Sequence, residues 1–251
     1  MHIFNREKRD YFKISLENKN NISTEFRRIV DEHNQLIDSH KDVLEFYLPF
    51  FQTSVGSKPD LTTLFLSSAL TNLHTLYAAC ELTMLGHFSS AKSLYRKIFE
   101  FLMISKYCFT TEDNNLAELW LKGGDFDLYK TTMKYMVKPR KQKFIDLWRI
   151  LCQFNHGTVY STQNVLQWTL NKNQLYECIT LSYILVRCNN HLLKSILLKR
   201  VPRVKYNAEH LDQNEIRFLN HTFRESCQVF KQFVGEASTS FISEFTKKWA
   251  Y

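Results

Sequence analysis

Residues 60–109 read DLTTLFLSSALTNLHTLYAACELTMLGHFSSAKSLYRKIFEFLMISKYCF, and they decide the fold. Asp60 is a good N-cap, and Leu61, Leu64, Phe65, Ala69, Leu73, Leu76 and Tyr77 follow with helical spacing. Gly86 stands where a helix-ending glycine belongs. After this short link, Ser89 or Ser90 caps a second helix with Leu94, Tyr95, Ile98, Phe99, Leu102 and Ile104 on or beside its apolar stripe. The spacing therefore predicts two long helices in a tight antiparallel hairpin.

Working outward, the same period recurs. Phe26, Ile29, Val30, His33, Leu36, Ile37, His40, Val43, Leu44 and Tyr47 predict a helix from about Ser23, stopped by Pro49. Residues 1–20 are polar and read as an N-terminal arm. The segment 112–136 gives two short helical pieces parted by Gly123 and Gly124. A helix with Phe144, Leu147, Trp148, Leu151 and Phe154 inward follows the basic run KPRKQK. The stretch GTVYSTQNVLQW fits a strand or irregular crossover as well as a helix. Residues 174–199 then form a near-continuously apolar helix, the central rod, and Asp212 with Glu215 opens a C-terminal helix within residues 210–251.

Composition agrees. The 251 residues contain only 6 Gly and 4 Pro, about 4% together against roughly 12% in average usage, so the turns that sheets need are scarce. The expectation is one all-α domain over 1–251, an up-and-down helical bundle with extra N- and C-terminal helices. The six cysteines are widely spaced without a C-x-x-C pair and read as reduced, buried residues. No signal sequence or membrane-spanning run is legible, which predicts cytoplasmic residence. A net charge of +8 suits an anionic partner.

Several chemistries lack their motifs. There is no phosphate-binding loop, no serine-hydrolase elbow, and no Glu-x-x-His or paired Cys and His spacing for a metal. His33 and His40 share one helix face without carboxylates at ligand spacing and read as core or boundary histidines. No metal or cofactor is expected.

What remains is WRILCQFNHG at 148–157. Seven residues advance a helix by about 700°, so Arg149 and His156 lie within roughly 20° of one another and about 10 Å apart along the axis. An imidazole can exchange a proton with a ribose hydroxyl or a leaving oxygen, and a guanidinium offers paired donors to a phosphate. The same residues read equally well as a histidine favourable at a helix end before Gly157 and an arginine reaching past Trp148 to water.

At R-ILCQFN-H, Arg149 to His156, the sequence resembles the HEPN superfamily, helical domains of prokaryotic toxin, phage-defence and CRISPR effector proteins with an R-x(4 to 6)-H motif late in a core helix. A second likeness is GHFSSAKSLYRKIFEFLMISKY at 86–107, where Arg96 and Glu100 match an arginine and glutamate one turn apart. Together they span roughly residues 60–200. The resemblance implies a homodimer in which two motifs face each other as one composite, metal-independent endoribonuclease site. It makes Arg149 and His156 the catalytic pair, with Asn155, Arg96 and Glu100 in support. Lys138, Arg140, Lys141 and Lys143 would gather RNA phosphate at the entry to the motif helix, and an antitoxin or partner protein would complete the setting. The residue after the motif arginine is usually polar in active members and is Ile150 here. That departure keeps open a non-catalytic helical interaction or dimerisation module.

Overall fold

A computed structural model describes residues 11–52, 61–124, 127, 145, 147–149, 151, 152 and 172–200. The described chain is all-α: α1 (Tyr11–Glu25), α2 (Arg27–Gln52), α3 (Leu61–Met84), α4 (Phe88–Thr111), α5 (Asn114–Leu121) and α6 (Lys172–Arg200). Residues 145, 147–149, 151 and 152 are helical as well and carry the motif arginine. The expected C-terminal helix, the GTVYSTQNVLQW stretch and the KPRKQK run lie outside the described residues.

The α3–α4 hairpin forms as the sequence predicts, through a backbone lock. Gly86 has φ of 80°, its N–H donates to Thr83 O at 3.1 Å, and the His87 N–H donates to Leu82 O at 2.8 Å. This 6→1 and 5→2 pair satisfies the orphan carbonyls of α3 while the left-handed glycine reverses the chain. The turn is so short that α4 starts at Phe88, with His87 in the cap position and no side-chain cap bond, instead of at Ser89 or Ser90. The end of α5 repeats the device: Gly123 at φ 73° and Gly124 donate to Trp120 O and Leu119 O at 3.0 and 2.9 Å. Its beginning is capped by Asp113, which accepts from the Leu116 N–H at 2.9 Å.

Two boundaries differ from the periodic reading. The expected polar arm is helical from Tyr11, because one side of α1 is tied to the hairpin turn. Ser15 and His87 are hydrogen-bonded at 3.1 Å, Lys19 pairs with Glu81 at 2.7 Å, and Ile22 is fully buried. Asn18 packs so close to Gly86 that a β-carbon there would meet its Nδ2 at 2.8 Å. At the other end, α2 runs through Pro49 to Gln52. A proline in the last turn forfeits one backbone bond and leaves the rest of the helix intact.

The core lies among α2, α3, α4 and α6. The four pack as a ring in the order α2, α3, α4, α6, with α6 closing against α2, and α3 also touches α6 across it. Phe26 stacks edge-on against Tyr176, and His40 bonds Asn190. The two contacts lie two heptads apart on both helices, so α2 and α6 run parallel and in register. Among the described residues, Tyr95, Tyr183, Phe65 and Phe99 are the largest fully buried side chains. Tyr77, expected on the apolar face of α3, is instead 38% exposed, with its hydroxyl donating to Asp38 at 3.1 Å. No helix among the described residues is long and apolar enough to cross a membrane.

Candidate functional site

The motif helix is oriented by its apolar residues. Ile145, Leu147 and Leu151 are buried at 5%, 2% and 0% exposure, and Trp148 packs partly buried against the core. With that face turned inward, Arg149 falls on the outside and is exposed. A charged residue on the solvent side between two buried leucines is what amphipathic spacing requires.

Arg96 and Glu100 stand one turn apart on α4, with Arg96 Nε and Glu100 Oε1 at 2.8 Å and side chains only 17% and 28% exposed. Ion pairing at i, i+4 in this order is the less favourable one, and partial burial strengthens it. The link to the motif helix is Cys152. Burial pushes this thiol up from its ordinary value, the Arg96 guanidinium draws it back and the Glu100 carboxylate adds to the rise. Arg96 and Glu100 on α4 therefore lie within electrostatic reach of Cys152 on the motif helix. Arg96, Glu100 and Cys152 share one electrostatic neighbourhood, and Arg149 is one turn before Cys152. Asn155, His156, Ile150, Lys138, Arg140, Lys141 and Lys143 lie outside the described residues.

Elsewhere the structure brings together residues that the sequence did not pair. Cys80 Sγ lies 3.5 Å from His33 Nδ1 and 3.6 Å from Asn34 Oδ1, a thiol beside an imidazole and an amide. Burial pushes Cys80 up to about 12 and His33 down to about 4, so both are neutral near pH 7. A neutral thiol bonded to a neutral ring and an amide oxygen is a packing contact, since a nucleophilic cysteine needs its thiolate. His40 is likewise held to about 4 by burial, partly offset by its bond to Asn190. Both α2 histidines are thus core residues, as their face on the helix predicted.

Of the cysteines, Cys80, Cys108, Cys152, Cys178 and Cys188 are free thiols, and among these only Cys152 is partly accessible. Lys92 was not singled out by sequence, being one cation among many on a helix. Its side chain is 3% exposed, and its ammonium meets Glu177 on α6 at 2.5 Å. The available signal was its place one turn before Arg96, on the flank that α6 covers. Among the described residues no three His, Cys, Asp or Glu side chains group in a way that could hold a metal ion. Comparisons with protein-family models, with curated proteins and with solved structures found no match.

Proposed function

We propose that the chain is a HEPN-like RNA-binding protein that acts as a metal-independent endoribonuclease in phage defence or as a toxin. In this reading two copies bring their Arg149 and His156 together in a composite site. The observation that carries it is the exposed Arg149 on a helix whose Cys152 lies within electrostatic reach of the Arg96–Glu100 pair. The net charge of +8 supports an anionic partner. Arg149 clamps the scissile phosphate, and His156 exchanges the proton of the 2′-hydroxyl or of the leaving oxygen.

The test is cleavage of a mixed RNA pool by purified protein in the presence of a chelator. The wild type is expected to cut, and His156→Ala and Arg149→Ala each to lower the rate by about 10²-fold or more. Growth arrest on overexpression should disappear with His156→Ala. Absence of cleavage by the wild type, or full activity in His156→Ala, overturns the reading.

A second reading, a non-catalytic interaction or dimerisation module, is favoured by two features. Ile150 stands where active members of the resembled family carry a polar residue, and the Arg96 guanidinium is engaged by Glu100. RNA or protein binding without turnover supports this alternative.

A further inference from the structure

At one level of the bundle, α2, α3 and α6 meet through polar side chains. His40 Nδ1 and Asn190 Oδ1 are 2.5 Å apart, and Asn72 Nδ2 donates to Asn189 Oδ1 at 2.9 Å. Asn189 and Asn190 are consecutive, so both bonds fall within one turn of α6. Ser68 sits one turn before Asn72 on the same face of α3. These residues are deeply buried: His40 is 0% exposed, Asn72 1%, Ser68 and Asn189 3%, and Asn190 7%.

Four of the polar side-chain atoms at this level remain unpartnered. His40 Nε2, Asn190 Nδ2, Asn72 Oδ1 and Ser68 Oγ are all shielded from solvent, and none has a hydrogen-bond partner among the described residues. Their chemistry defines a ligand. The His40 Nδ1–H donates to Asn190 Oδ1, so the neutral ring offers a lone pair at Nε2. Asn72 Oδ1 is a second acceptor, Asn190 Nδ2 is a donor, and the Ser68 hydroxyl takes either role. Anions are disfavoured by the two acceptors, and cations by the amide hydrogens. A small neutral molecule that both donates and accepts matches this mixed set.

We infer that the α2–α3–α6 junction is a binding site for internal water, held by His40, Asn190, Asn72 and Ser68. Buried water typically makes about three such bonds, and the unpartnered atoms of this seam supply that number. The water is part of the packing of α6 on α2 and α3, and it leaves only when α6 parts from them. Its residence time therefore reports the opening of that seam.

Magnetic relaxation dispersion of water oxygen-17 and deuterium on the full chain tests the site. The wild type is expected to show long-lived internal water, and the paired substitution His40→Leu with Asn190→Leu to lower the dispersion amplitude by about one or two molecules. Should circular dichroism show that the pair does not fold, Ser68→Ala decides instead, with a lower amplitude or a shorter residence time expected. An unchanged profile in a folded variant overturns the assignment.

Discussion

The α2–α3–α6 seam and the flank where α4 meets the motif helix both carry polar residues on helices patterned for a core, and they treat those residues in opposite ways. Inside the seam, His33 and His40 are neutral, bonded to Cys80 and Asn190, and closed off from solvent. On the α4 flank, Arg96 and Glu100 are partly open, and Arg149 is exposed. A buried polar group is tolerated once it is neutral and bonded, which gives packing specificity. Charge that remains accessible is what can meet a phosphate. Helical period alone does not separate these cases, because His33, His40 and Arg149 all occur within apolar spacing.

Acid breaks this contrast most strongly. The unfolded chain takes up protons on His33 and His40 at the ordinary 6.5, whereas the folded chain resists until about 4. Stability is thus complete above pH 6.5 and falls as pH drops through the window from 6.5 to 4. When the fall is complete the loss is about 3 kcal/mol per histidine, a large share of the 5–15 kcal/mol typical of a domain. Urea midpoints measured between pH 7.5 and 4.5 should decline steadily, and His33→Gln or His40→Gln should each flatten the slope. A midpoint independent of pH in that range would show that neither histidine is held neutral by the seam.

How much of this was legible depends on which residues set it. The α3–α4 hairpin was readable because Gly86 and the apolar periods on both sides are local signals, and the glycine does adopt the left-handed turn. The long α6 was readable from its apolar run alone. The start of α1 was not, since Ser15, Asn18 and Lys19 look like surface residues until His87, Gly86 and Glu81, far away in sequence, are placed beside them. Pro49 misled for a related reason: local propensity ends a helix there, and the backbone continues for one further turn. At the candidate site, the exposure of Arg149 followed from amphipathic spacing, whereas the nearness of Arg96 and Glu100 to Cys152 depends on how the motif helix packs on α4.

Lys92 sharpens the comparison by lying between the two regimes. Its stem is buried with the core of α4 and α6, while its ammonium reaches Glu177, which is 60% exposed. Glu177→Gln removes only the charge of the exposed partner and is expected to cost about 0.5–1 kcal/mol in urea unfolding. Lys92→Ala removes the packed stem as well and should cost about 2 kcal/mol or more. Equal losses from the two variants would mean that the ion pair, and not the stem, joins α4 to α6.

The smallest stability effect belongs to the Arg96–Glu100 pair. Glu100→Gln weakens an i, i+4 contact and should shift stability by only about 0.3–0.5 kcal/mol. The same change releases the Arg96 guanidinium from its carboxylate, one helix away from Arg149. If this flank receives RNA, removing a negative charge there raises RNA affinity and steepens its salt dependence, while the urea midpoint barely moves. Filter binding at two salt concentrations separates the outcomes. Tighter binding with unchanged stability places Arg96 and Glu100 at the RNA surface, and unchanged binding with a lowered midpoint assigns the pair to the packing of α4.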